Sequence, residues 1–282
     1  MFSLIFIYGW GAAGHKIINR RSTFSLPPSM NFLNWPDSLA AHSSDADYRR
    51  SSDPDEAPRH YIDIDNYPEF IATGRISQDL DSLIALHGSS FVYDNGILPF
   101  SIMATTDSVK KYFQLNNFQK PCCMPLTWDT MLVTDIIHFI LQEIITDSLQ
   151  IKPEFIQDMK LSLLIVISAN IIYAFHNATY VSDINQYVFN FLYHITYVDS
   201  VLKYDSLARA IAGSYNTNYY QIYWQLAGNF TVMLFNNASH FLSDAIYTAW
   251  VNSGRSVSVI STGASLPENI ISNKIILIRS IQ

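Results

Sequence analysis

Apolar positions recur along this chain at helical rather than strand spacing. Phe100, Met103, Val109 and Phe113 keep roughly a helical period, which predicts a helix over residues 100–120. The stretch 187–250 is strongly periodic. Val188, Phe191, Leu192, Ile195 and Val198 mark one face there, and Tyr220, Tyr223, Trp224, Ala227 and Phe230 mark another. Clusters of Asn and Gly are expected to separate the helices of this stretch. Between residues 10 and 37, helical spacing is interrupted by Pro27, Pro28 and Pro36. Residues 37–67 are polar, carboxylate-rich and punctuated by proline, the pattern of long ordered loops with short helices. No internal repeat is visible. The expected fold is all-α, with function on loops and helix faces.

Two segments stand apart. Residues 2–8 form an apolar run that ends at Gly9, just before Trp10, and resemble the tail of a secretory signal peptide without its basic n-region. A buried first strand or helix would read the same way. Residues 161–182 contain no charged side chain, and 161–175 are broken only by Ser162, Ser168 and Asn170. Length and missing charge make this a transmembrane candidate. Nothing basic flanks it closely on the C-terminal side, however, and the helices that follow are amphipathic.

Composition narrows the class. With 282 residues, 49% of them apolar and 15% charged, the chain can bury one substantial core, which excludes disorder, collagen and a disulfide scaffold. Lys and Arg number 17 against 24 Asp and Glu, a net charge of −7, so no general basic field draws nucleic acid or anionic lipid. A phosphate-bearing substrate would need a local cation such as a bound metal. The two cysteines, Cys122 and Cys123, are adjacent, which suits neither a mutual disulfide nor a metal motif.

Candidate chemistry gathers in the first 65 positions. Trp10-Gly-Ala-Ala-Gly-His15 places an imidazole five residues after a tryptophan. Asp45-Ala-Asp47-Tyr-Arg49-Arg50 sets carboxylates beside two arginines, and Arg59-His60-Tyr-Ile-Asp63-Ile-Asp65 puts a histidine at the start of an alternating segment. Imidazole nitrogen and carboxylate oxygen together suit a zinc ion. Each group also has an ordinary structural reading: hydrogen-bonded histidines, and a solvated ion pair between Asp47 and Arg49 or Arg50.

The strings WGAAGHKIINR, DADYRR and DEAPRHYIDID resemble the N-terminal part of the zinc-dependent phospholipase C and single-strand nuclease superfamily. The segments YVDSVLKYDSLARAIAG, YYQIYWQLAGNFT and ASHFLSDAIYTAWVNSG resemble its closing helices, so the likeness covers 10–120 and about 180–254. It implies a secreted or periplasmic all-α phosphoesterase with three zinc ions. Residue by residue, it implies zinc binding by Trp10 through its α-amine and carbonyl, by His15 and His60 as nitrogen ligands, and by Asp47 as a bridging carboxylate. Segment 1–9 is then a truncated signal peptide, 10–254 the phosphoesterase domain, and 255–282 a tail without a functional account. No stable protein partner and no transmembrane anchor are implied.

The family's central motif, HYxGDxxxPxH followed later by GIHxRYE, is missing. It should supply three more histidines and two carboxylates. The genetic code constrains what a shifted frame would encode, each new codon taking the last base of one residue and the first two of the next. Cys122/Cys123 is forced to leucine, Met124/Pro125 to alanine, Trp128/Asp129 to glycine and Met159/Lys160 to glutamate. The remaining codons permit G-H-Y-V-G-D-G-H-N-P-L-H within 120–148 and G-I-H-S-R-Y-E across 153–160, with the motif residues in register. Residues 121 to about 175 are therefore expected to be out of frame. The charge-free run would then be an accident of the wrong frame, and Cys122, Cys123, His138 and His176 are not assigned as ligands. A divergent family member with a rebuilt centre is the competing explanation.

The expected function is hydrolysis of phosphate esters, either phospholipid or single-stranded nucleic acid, by metal-activated water. The alternative is an inactive frame-shifted product that keeps a partial metal site. The five-residue step from Trp10 to His15 looks like the nucleases, and the glutamate of the recovered GIHSRYE like the phospholipases. A membrane-inserted protein using 161–175 is a third reading.

Overall fold

The computed structural model describes residues 11–30, 34–50, 52–115, 176–194, 198–214 and 216–255. These build ten α-helices: α1 (Gly11–Ser22), α2 (Trp35–His42), α3 (Asp45–Arg49), α4 (Pro68–Thr73), α5 (Leu80–His87), α6 (Ser89–Asp94), α7 (Leu98–Gln114), α8 (Ile184–His194), α9 (Val198–Ala212) and α10 (Thr217–Asn252). Short 3₁₀ turns connect the early helices, among them Ala57–His60 and Ile64–Asn66. No strand occurs among the described residues, and the fold is all-α. The central segment 121–175, with its membrane-span candidate, lies outside the described residues, as do 1–10 and 256–282. No described helix is long and apolar enough to cross a membrane.

The periodicity predicted over 100–120 is α7, where Phe113 is 1% exposed and Phe100 and Val109 are buried. The face read from Tyr223 and Ala227 is also buried, with Tyr220, Trp224 and Phe230 packed at its edge. The helix breaks differ from expectation. Gly213, at φ +76°, ends α9, and Asn216 opens α10 by accepting the Tyr219 N–H on its side-chain oxygen at 3.0 Å. Gly228, Asn236 and Asn237, however, lie inside one continuous 36-residue helix about 54 Å long.

Burial explains why α10 does not break there. Its inner face is covered by α1, α7 and α9, and this packing outweighs the roughly 1 kcal/mol that a mid-helix glycine costs. Gly228 has a steric reason as well, since a Cβ there would sit 3.0 Å from the Trp224 ring. The buried hydroxyls of Thr231 and Ser239 donate to the carbonyls of Ala227 and Phe235, so the apolar face carries no polar cost from them.

Aromatic contacts join the two ends of the sequence into one core. Trp35 of α2 stacks on Phe113 of α7, and Phe113 meets Trp250 of α10 edge-on at 5.2 Å. On the other side of α7, Phe100 meets Phe189 of α8 at 5.6 Å. Helix α1, which carries His15, packs against both α2 and α10.

Candidate functional site

His60 ends the 3₁₀ turn Ala57–His60 and is fully buried. Backbone hydrogen bonds fix its position. Ile97 N–H donates to the Pro58 carbonyl at 2.7 Å, Leu98 N–H to that of Tyr61, and Asp63 N–H to that of Asn95. The chain returns here through Gly96, at φ +83°, where a Cβ would fall on the Tyr61 carbonyl. Only glycine suits both the backbone angle and the approach. The alternation read after His60 is real in its burial: Ile62 and Ile64 are buried, and Asp65 is exposed.

A charged network surrounds His60. Glu56, four residues earlier, is 2% exposed and accepts at one oxygen from His60 Nε2 and from Arg49 Nη2, both at 3.0 Å. Arg59 approaches the other carboxylate oxygen at 3.6 Å. Burial alone would raise the Glu56 pKa, but the His60 and Arg49 hydrogen bonds and charges outweigh it and hold the carboxyl down at about 2. Glu56 is therefore ionised and acts only as an acceptor. Arg49 is thus paired with Glu56.

The four predicted site residues fare differently. His15 lies in α1 and is 1% exposed; its carbonyl accepts from the Asn19 side chain at 2.7 Å. Asp47 lies in α3, two residues before Arg49, so the Arg49–Glu56–His60 network ties the helix carrying Asp47 to the turn carrying His60. The side chain of Asp47 and all of Trp10 fall outside the described residues. Buried imidazoles are donors that zinc accepts, but a zinc site takes three or four protein ligands. Among the described residues no group of three or more His, Cys, Asp or Glu is arranged to hold a metal.

Sequence reasoning missed Glu56, although its spacing of four from His60 within DEAPRH was a usable signal. It also passed over a second cluster. Asp244 of α10 accepts from His176 Nε2 at 2.8 Å, from the Thr179 N–H at 2.7 Å and from the Tyr187 hydroxyl at 2.8 Å. The His176 ring stacks on His240 with centroids 4.3 Å apart. Burial first, then the Asp244 charge and hydrogen bond, push the Tyr187 phenol well above its ordinary pKa. A lone carboxylate in the apolar run HFLSDAIYTAW was the available sign. This cluster anchors 176–181 on α10, helped by Val181 N–H donating to Thr248 Oγ1 at 2.9 Å.

Against known proteins, no family model, no curated protein and no solved structure matches this chain.

Proposed function

We propose that the chain has the framework of a secreted or periplasmic zinc-dependent phosphodiesterase of the phospholipase C and single-strand nuclease kind. The observation that carries this reading is the placement of its two motif histidines. Both are buried on helical elements, and charged side chains link the turn holding His60 to the helix holding Asp47. Trp10, His15, Asp47 and His60 would hold the metal. Zinc, when bound, supplies a water of lowered pKa and neutralises phosphate charge. The protein's part is to hold two imidazoles dry and fixed. The rigid tie of 58–61 to 95–98 and the packing of α1 on α10 accomplish this. The substrate is a phosphate ester, phospholipid or single-stranded nucleic acid.

A second reading is favoured by one specific observation. The family's central motif is absent from 121–175. On this reading the chain is an inactive frame-shifted product with a partial metal site. One experiment tests both. The chain as it stands and a version rebuilt in the shifted frame across 121–175 are assayed with zinc on bis(p-nitrophenyl) phosphate, single-stranded DNA and phosphatidylcholine vesicles. Zinc-dependent turnover by the rebuilt chain, with little by the original, is the expected result. A rebuilt chain that folds and turns over none of them would refute the phosphodiesterase reading.

A further inference from the structure

Three tripeptides of the form Asn-X-Ser/Thr stand in the chain: Asn177-Ala178-Thr179, Asn229-Phe230-Thr231 and Asn237-Ala238-Ser239. The asparagine is exposed in each, but the fold presents them differently. Asn229 and Asn237 lie inside α10, where the side chains of residues i and i+2 point about 200° apart. Thr231 and Ser239 are buried there, and their hydroxyls donate to the carbonyls of Ala227 and Phe235. Residues 176–181 belong to no helix. Their backbone is held from two sides: Ala178 N–H donates to the Ser25 carbonyl at 2.8 Å, and Thr179 N–H to the Asp244 carboxylate at 2.7 Å. His176 bonds the same carboxylate through its ring. Among these anchors, Asn177 and Thr179 are the exposed residues that carry the motif's carboxamide and hydroxyl.

We infer that Asn177, in the exposed segment that Asp244 and Ser25 anchor, is an acceptor for an N-linked oligosaccharide. Transfer brings the carboxamide together with the hydroxyl two residues on, which an irregular backbone allows and a helix prevents. The carboxamide nitrogen attacks C1 of an oligosaccharide carried on a lipid pyrophosphate. The N–C1 bond forms, the C1–O bond to the pyrophosphate breaks, the nitrogen gives up a proton and the lipid pyrophosphate leaves. The bulky, hydrated product suits a surface position. The folded chain can therefore offer Asn177, whereas Asn229 and Asn237 are open to transfer only before α10 forms. The inference rests on the secreted location in the reading above, since transfer takes place in a secretory compartment, and adds to it a residue and a modification.

The test translates the full chain behind an added cleavable leader in a cell-free extract supplied with endoplasmic-reticulum microsomes. Entry into the lumen then does not depend on residues 1–9. The lumenal chain is treated with peptide-N-glycosidase in H₂¹⁸O, digested and mapped by mass spectrometry, because release of a glycan leaves an ¹⁸O-labelled aspartate at each modified asparagine. The wild-type chain should carry the label at Asn177 in most molecules and at Asn229 and Asn237 in fewer. Asn177→Gln should abolish it at that site, Thr179→Ala should do the same, and Thr179→Ser should keep it. Thr179→Ala retains the backbone N–H that Asp244 accepts, so its effect reports the hydroxyl and not the anchor. An unlabelled Asn177 in the lumenal wild-type chain overturns the inference and leaves the phosphodiesterase reading to its own assay. A label confined to Asn229 and Asn237, or one that persists at Asn177 in Thr179→Ala, overturns it as well. A labelled Asn177 in a frame-restored chain that turns over no phosphate ester would keep the inference and refute the phosphodiesterase reading.

Discussion

Replacing Asp244 by alanine isolates what holds residues 176–181 to the body of the protein. The carboxylate is 4% exposed as a residue and receives three donors: the Thr179 N–H, the Tyr187 hydroxyl and His176 Nε2. Hydrogen bonds to a charged acceptor contribute about 1.5–3 kcal/mol each, and a buried donor left unpaired adds its own desolvation cost. The sum is not additive. His176 is 24% exposed and can recover a water, so its share is discounted. Thr179 is exposed and its amide is discounted likewise, whereas the Tyr187 hydroxyl is more enclosed, and the expected loss is about 2–3 kcal/mol for Asp244→Ala. Asp244→Asn keeps one acceptor oxygen and should lose roughly half of that. Urea unfolding followed by far- and near-ultraviolet circular dichroism measures both. A cycle with His176→Ala should show coupling of about 1 kcal/mol. If Asp244→Ala costs less than about 1 kcal/mol, the cluster does not anchor the segment and the reasoning fails.

Other consequences follow from single residues. The Glu56 carboxyl lies at about 2 in the fold against an ordinary 4.5. A depressed acid contributes stability that is complete above the unfolded value, so about 3 kcal/mol should be lost as pH falls from 4.5 toward 2, with Glu56→Gln flattening that part of the stability–pH curve. Gly96→Ala combines an unfavourable φ with a Cβ on the Tyr61 carbonyl and should cost at least about 2 kcal/mol in denaturant unfolding. Gly228→Leu forces the Trp224 ring to shift and should lower stability by about 1–3 kcal/mol, whereas helix propensity alone would predict a gain.

The sequence carried the helical class because burial on one face of a helix leaves a period in the apolar residues. Phe100, Val109 and Phe113 on α7 and Val188 and Leu192 on α8 show that period, and all are buried. The breaks were less legible. Gly228 and Asn237 carry the local chemistry of a break, but tertiary cover on α10 overrides it, and between α9 and α10 it is Gly213 and Asn216 that end and begin the helices. At the candidate site, His15 and His60 were visible as residue types in a motif. Glu56 was not, because a carboxylate in DEAP reads as a solvated charge until Arg49 and His60 are seen to enclose it. His176 was set aside for its nearness to the shifted frame, and its bond to Asp244, 68 residues away, has no local signal at all.

The central proposal is that Trp10, His15, Asp47 and His60 belong to a zinc centre whose other ligands were lost with the frame of 121–175. Zinc bound per chain, measured by elemental analysis after dialysis of the original and frame-restored proteins, tests it most directly. The account predicts three zinc ions in the restored chain and fewer than three in the original, with His15→Ala or His60→Ala lowering the count in both. Three zinc ions on the original chain, or none on a folded restored chain, would contradict it.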